Sequence, residues 1–342
     1  MAMKEANKEH LLLFDQSEHL IYKFDLGIRA SLLLLSFPSD SWQLSCHASC
    51  RCRYGNFEIL ACFWLIVDIC GDFENLFFDS FLGLMKKMSP PRIVFFDVFG
   101  TAVEWRSSVS NALHQAAQRV LNSQDRKLTN ETRATASSMP WLELVERWRK
   151  SYSEFTRNYR GPFISVDEHH YTSLRQLLRE WSLEDLFTDD EARDLAMSWH
   201  RLDPWPDSVQ GLAQLNKKVQ NTCTLSNGNV SLIEDLVQYA HLPFTDIASA
   251  EQFGAYKPAP LVYTGAAKRF DVVEESCALV ASHLYDLKGA KAVGFQTIFV
   301  ERTLEEPLLP DRKDEVVKEG YVDLWIDANA GGFLEIAKRV GA

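Results

Sequence analysis

The chain has 342 residues, 36 Lys plus Arg against 47 Asp plus Glu for a formal net charge of −11, 46% hydrophobic residues and seven cysteines. That length exceeds any disulfide-stapled miniprotein and allows about two domains. The acidic balance excludes a sequence-independent nucleic-acid binder, which needs a basic surface against phosphate.

Residues 1–87 differ from the rest, with five of the seven cysteines and nine of the 21 phenylalanines. The apolar runs Ser31–Phe37 and Ile59–Val67 fall well short of the roughly 20 residues a membrane-spanning helix needs. Leu11–Phe14 is brief and followed by Asp15 and Glu18, unlike a secretory signal. Cys46, His47, Cys50 and Cys52 invite a zinc reading, but Cys62 and Cys70 do not supply the second, regularly spaced pair of a closed site. No metal is expected, and residues 1–90 read as a poorly ordered extension, with Met88 opening the natural protein.

From residue 92 the pattern turns regular, with short apolar runs bounded by turn residues and separated by helical periods. Ile93–Phe96 is the first predicted strand, and it delivers Asp97 into the turn Val98-Phe99-Gly100-Thr101. About 120 residues then separate it from the next strand, far more than a βα connection needs. That stretch carries helical periods over Trp141–Arg157, Glu168–Trp181 and Asp190–Trp199, so residues 105–200 read as an inserted helical cap. The pair His169-His170 within it reads as a solvated helix face, because adjacent helical residues do not share a face.

Residues 91–104 and 201–342 read as the core. Strand Cys223–Leu225 ends in Ser226-Asn227-Gly228-Asn229, ahead of a helix over Val230–Tyr239, so hydroxyl and N–H groups there can meet an anion. Lys257 precedes Pro258, a residue suited to opening the helix Pro260–Phe270. Strand Ala278–Ala281 runs into Ser282-His283-Leu284-Tyr285-Asp286 and a helix over Leu287–Val293. Strands Thr297–Val300 and Leu324–Ile326 and the helix Phe333–Val340 complete a doubly wound parallel α/β sheet. In such sheets ligands bind beyond the carboxyl ends of the strands, where these four motifs converge.

Asp97-x-x-Gly100-Thr101, the Ser226-Asn227 turn, Lys257-Pro258 and the acidic loop ending at Asp286, in this order, resemble the haloacid dehalogenase superfamily over about residues 91–342. Within it, phosphatases carry a proton-donating Asp two positions after the nucleophile. This chain has Phe99, whose ring has no proton to give. The last motif offers one acid where magnesium usually takes more. The aromatic Phe99, the Ser-Asn-Gly turn, Lys257 with Tyr263 six residues on, and Trp148-Arg149 with Phe155-Thr156 in the cap are similar to the L-2-haloacid dehalogenases.

The resemblance implies a cofactor-free hydrolase that displaces halide from a short 2-halocarboxylate. Asp97 attacks carbon with inversion, and water then cleaves the aspartyl ester to a 2-hydroxy acid. Lys257 would hold Asp97 ionised, Thr101 would orient it, and Asp286 would position Lys257 or the water. Ser226 and Asn227 would receive the substrate carboxylate, and Arg149 could bind that group or the halide. Phe99, Tyr263, Ser282 and Tyr285 would complete the substrate site.

The chain departs from the family pattern at Ala281, at Ala259 and at His283, where the better-known dehalogenases carry Asn. His283 is expected to activate the water, with Glu104 as an unplaced partner. Two other readings remain: a hydrolase of the same fold acting on another substrate, including a weak phosphatase, and a noncatalytic interaction protein. A homodimer in the cytoplasm, without nucleic acid or membrane, is the expected setting.

Overall fold

A computed structural model describes residues 90–158, 161, 163–306 and 309–340, together with the backbone of five short strands before residue 90. The chain divides into two units, Met1–Lys87 and Met88–Ala342. In the first, strands His10–Phe14 (β1), Leu20–Asp25 (β2), Ala30–Ser36 (β3), Gln43–Cys46 (β4) and Cys50–Arg51 (β5) pair in that order as an antiparallel meander. The zinc reading and the reading of residues 1–90 as an extension rest on groups outside the described residues.

The second unit is built on a six-stranded parallel sheet. Its strands are Ile93–Phe96 (β6), Asn221–Ser226 (β9), Asp246–Ser249 (β10), Cys277–Ala281 (β11), Gln296–Val300 (β12) and Leu324–Ile326 (β13), in the order β10-β9-β6-β11-β12-β13. All four residues of β6 are fully buried because both faces of the sheet are covered. Side chains alternate across a strand, so Ile93 and Phe95 join one core cluster while Val94 and Phe96 join the other. Phe95 lies 5.7 Å from Phe270 and 5.8 Å from Phe295, and Phe96 lies 4.9 Å from Phe333 on the opposite face.

The chain leaves β6 for β9 and β10 on one side, then returns for β11, β12 and β13 on the other. The carboxyl end of β6 is therefore the switch point at which such sheets open a crevice. Asp97 stands there.

A short antiparallel ribbon, Val103–Glu104 (β7) against Asp203–Pro204 (β8), marks where the chain leaves the core and re-enters it. Between its strands lie helices Trp105–Asn122 (α1), Asn130–Ser138 (α2), Trp141–Asn158 (α3), Val166–Glu180 (α4) and Asp189–Ala196 (α5), then a 3-10 turn over Met197–His200. Each start that carries a cap has a local cause. Glu104 accepts from the Arg106 and Ser107 N–H groups, placing a carboxylate at the positive end of α1. Thr188 and Glu191 form a reciprocal capping box on α5.

The core helices are Ser208–Leu215 (α6), Val230–Tyr239 (α7), Pro260–Arg269 (α8), Leu284–Ala292 (α9), Leu309–Glu319 (α10) and Gly332–Arg339 (α11). Pro260, not Pro258, takes the first helical position of α8. Among the described residues no helix is long and apolar enough to cross a membrane.

Candidate active site

Asp97 follows β6 and is 6% exposed. Its neighbouring turn is held from three sides. The carbonyls of Gly100, Thr101 and Ala102 accept from Trp205 Nε1 (3.2 Å), Arg302 Nε (3.0 Å) and Ser208 Oγ (2.7 Å), so its buried backbone oxygens are satisfied. Gly100 has φ +78°, and a Cβ there would run into the Glu305 carboxylate, so this position needs glycine twice over.

Four donors converge on two carboxylates. Lys257 Nζ donates to Asp97 Oδ1 at 2.9 Å and to Asp286 Oδ2 at 2.5 Å. Thr101 Oγ1 donates to Asp97 Oδ2 at 2.8 Å, and His283 Nδ1 lies 2.9 Å from the same oxygen. Tyr263 Oη donates to Asp286 Oδ1 at 2.6 Å. Lys257, which in isolation reads as a surface residue, is only 1% exposed. Its backbone is gripped by Asn227, whose Oδ1 accepts from the Lys257 N–H (2.6 Å) and whose Nδ2 donates to the Lys257 carbonyl (3.3 Å).

Burial alone would raise the pKa of Asp97, but the Lys257 ammonium and His283 outweigh it and hold the carboxyl far below the ordinary carboxylate range. Burial works against the charge on Lys257 too, and the two flanking carboxylates raise its pKa nonetheless. Burial raises Asp286, with Asp97 adding to the effect. Asp97 is thus the more firmly ionised of the pair. Burial opposes the charge on His283 as well, yet its bonds to Asp97 and Glu305 bring its pKa up to about 9.

That second partner corrects an expectation. Glu104 caps α1, and the group facing His283 Nε2 is Glu305 Oε2 at 3.1 Å. Glu305 is itself anchored by Trp105 Nε1 (2.9 Å) and by an ion pair with Arg106. With a carboxylate on each ring nitrogen, His283 is an imidazolium in this state. Glu305 was detectable in principle, as an acid in the loop beyond a strand's carboxyl end.

Arg149, on α3, is half-buried in an aromatic frame, its Cζ 4.6 Å from the Tyr152 ring, 5.7 Å from Phe99 and 5.8 Å from Trp105. Burial opposes its charge, while Tyr152, Glu305, Tyr285 and Asp97 more than restore it. Phe99 also packs 6.1 Å from Trp199. Tyr285 is half-buried beside His283, with Arg157 Cζ 4.7 Å from its ring.

Three residues expected at the substrate stand behind the reacting groups instead. Ser226 Oγ accepts from the Gly228 N–H, Ser282 Oγ meets Thr101 Oγ1 at 2.9 Å, and Tyr263 supports Asp286. All three are fully buried. The first N–H of α7, at Val230, is likewise taken by the chain's own Glu251 at 2.8 Å.

His170 is not on a solvated face. It is 2% exposed, stacks 4.8 Å from Trp199, and its pKa is pushed well below the ordinary value, chiefly by burial. His169 packs 4.4 Å from Phe155 and is lowered to about 4 by burial. The pair shares no face, so His170 is buried while His169 stays only half-buried.

Among the described residues no group of three or more His, Cys, Asp or Glu is placed to hold a metal ion. Both oxygens of Asp97 and both of Asp286 are engaged by side-chain donors.

Comparison with known proteins identifies the family. The family model for haloacid dehalogenase-like hydrolases matches residues 91–294. (S)-2-haloacid dehalogenase 1 of Pseudomonas sp. (strain CBS-3) is 27% identical over 219 residues, covering 63% of this chain and 86% of the relative. Haloacetate dehalogenase H-2 of Moraxella sp. (strain B) is 29% identical over 159 residues, 45% of this chain and 70% of the relative. The crystal structure of the L-2-haloacid dehalogenase PA0810 is 34% identical, with a TM-score of 0.60 over 73% of this chain and 98% of that one. The defluorinating L-2-haloacid dehalogenase Rha0230 is 29% identical, with a TM-score of 0.61 over 75% and 98%. A buried aspartate at the switch point, a helical insertion between the first two core strands and this breadth of similarity give one conclusion: the chain belongs to the haloacid dehalogenase-like hydrolases, in their L-2-haloacid dehalogenase branch.

Proposed function

We propose that the protein hydrolyses short 2-haloalkanoic acids through an ester on Asp97. The observation that carries this reading is the state of Asp97: buried, firmly ionised, and aimed by Lys257 and Thr101 beside an aromatic residue where a phosphatase's acid would stand. Halide leaves carbon as a stable anion, so the first step asks for a nucleophile and no proton donor. Magnesium would need carboxylate oxygens that Lys257 and Tyr263 already occupy.

In the first step a carboxylate oxygen of Asp97 attacks the carbon bearing halogen, the carbon–halogen bond breaks, and halide departs. Arg149 offers its cation to the substrate carboxylate or to the halide. Once Asp97 is an uncharged ester, His283 loses the anion that held its Nδ1 proton, and that proton passes to solvent. Glu305 keeps the Nε2 proton in place. Neutral Nδ1 then takes a proton from water as the water oxygen attacks the Asp97 carbonyl carbon. The intermediate collapses, the 2-hydroxy acid leaves with the proton returned by His283, and Asp97 keeps the water oxygen as a carboxyl whose remaining proton passes to His283 Nδ1, restoring the carboxylate and the imidazolium. Net consumption is one water, and net release is one proton and one halide.

Halide release from 2-chloropropionate, with and without magnesium, tests the reading, with fluoroacetate run alongside because one solved relative is a defluorinating enzyme. Magnesium-independent release that Asp97→Asn abolishes is expected, and a single turnover in heavy-oxygen water should label Asp97 before product. Phosphate release from a phosphate ester, with no halide at high enzyme concentration, would overturn it.

A further inference from the structure

His200 lies outside the chemistry described above, yet it is 3% exposed and carries two anions. Its Nε2 is 3.0 Å from Asp167 Oδ1, in the first turn of α4, and its Nδ1 is 2.8 Å from Asp235 Oδ2, on core helix α7. A carboxylate has no proton to offer, so both bonds together require N–H on both ring nitrogens. Only imidazolium supplies that. Asp167 also accepts from Asn229 Nδ2 at 2.8 Å, two residues beyond the Asn227 that grips Lys257.

We propose that His200 is a positioning residue, a cationic rivet that fastens the helical insertion to the core and thereby sets Arg149 over Asp97. The path is continuous. Helix α4 receives the Trp148 Nε1 proton at the His170 carbonyl (3.1 Å) and at Ser173 Oγ (2.9 Å). Trp148 is fully buried and directly precedes Arg149 on α3. Moving α4 away from α7 therefore draws the Arg149 guanidinium away from the substrate position.

The surroundings determine the sign of the pH dependence. The groups around His200 are Asp167 and His170 on α4, Asp235 on α7, and Arg201, which pairs with Asp194 of α5 at 3.4 Å. Helix α1 meets this segment through Trp105, 5.9 Å from Trp199. Burial opposes the His200 charge, and the bonds to Asp167 and Asp235 outweigh it, so its pKa is raised. The rivet is complete below the ordinary histidine range and fails as pH rises through the raised value. A neutral ring turns a lone pair toward one carboxylate, and the seam loses a charge-assisted bond.

The kinetic part rests on the proposed dehalogenation, in which Arg149 meets the substrate anion. The ring titration does not. Nitrogen NMR of the full chain should find both His200 nitrogens protonated at about pH 7, and a neutral ring there overturns the proposal. In the parent enzyme KM for 2-chloropropionate should rise as His200 titrates. His200→Gln should show KM raised about tenfold at neutral pH with kcat within about twofold, the scale of one charge-assisted bond, and should lose that rise. Asp235→Asn keeps an acceptor but removes a charge at an exposed carboxylate, so it should move the KM rise to lower pH, and it serves if His200→Gln does not fold. An unchanged KM and pH profile in both variants overturns the proposal even if their thermal stability falls. If no 2-haloacid releases halide, the dehalogenase reading falls and the ring titration still decides the rivet.

Discussion

At the residue scale, the site is a line of alternating charge: Lys257, Asp97, His283, Glu305 and Arg106. Each member is desolvated and each is offset by its neighbours, which separates such a line from surface ion pairs of negligible worth. Three of its members were legible in the sequence because they sit at fixed points of the family's motifs. Glu305 and Arg106 were not singled out: nothing local marks this loop acid as the partner of His283, 22 residues back, and Arg106 is meaningful only through Glu305, 199 residues on. The line makes a prediction about acid and base behaviour. Glu305→Gln removes the anion beside Nε2, so the His283 pKa should fall from about 9 toward its ordinary value. The raised value means that the stability contributed by charged His283 is present below the ordinary histidine range and is lost as pH climbs through about 9. In Glu305→Gln that loss should begin at lower pH, which a series of denaturation curves against pH would measure. His283→Ala should still give the burst of halide while ester breakdown slows by about a hundredfold, the lower range of general-base effects, and a steady state as fast as the parent's would exclude the base role.

At the element scale, the legible parts are those in which one strong local pattern decides the outcome. Strands β6, β11 and β12 are largely apolar runs because both faces of the sheet are covered, β9 is buried despite its mixed Asn-Thr-Cys-Thr-Leu-Ser sequence, and the sequence reading finds all four to within one or two residues. Strand β10 escapes it, being an edge strand of four residues with two only partly buried and with Asp246 and Ser249 among them. Helices α1 and α2 escape it too: α1 carries a buried apolar stripe at Trp105, Val109, Leu113, Ala116 and Val120 that the sequence reading passes over, while α2 has only Thr132 and Ala136 buried and starts on its Thr129 cap. The turn after β6 depends on a contact that no local pattern contains. Arg302, just past β12, donates to the Thr101 carbonyl and pairs in bidentate fashion with Asp207, at 2.7 and 2.9 Å. Asp207 in turn accepts from the Phe333 N–H at the start of α11 at 2.7 Å. Arg302→Ala would leave a largely buried carboxylate without its cation and a turn carbonyl without its donor. The expected cost is about 3–5 kcal/mol, the range for breaking one side of a buried pair. Chemical denaturation checks it, and a loss below about 1 kcal/mol would put the pair in the class of surface bridges.

At the scale of the whole molecule, the charge of −11 is uneven: residues 1–87 carry eight basic and eleven acidic side chains, which leaves −8 on residues 88–342. An anionic substrate would therefore approach against the overall field and be received by Arg149 and Lys257 locally. The whole of the described site, from Asp97 to Glu305, and both core clusters lie within residues 88–342. The matched family region begins at residue 91, and the solved relatives are 98% covered by about three quarters of this chain. Those relatives thus complete their fold without a counterpart to the remaining quarter. Residues 88–342 alone should accordingly fold, melt in a single transition, and release halide with kcat and KM within about twofold of the full chain, since no group assigned to the chemistry is removed. Expression of the chain from Met88, followed by thermal denaturation and the 2-chloropropionate assay beside the full-length protein, makes the comparison. An insoluble fragment, or one whose KM rises while kcat holds, would mean that the first 87 residues belong to the enzyme's working structure and not merely to its chain.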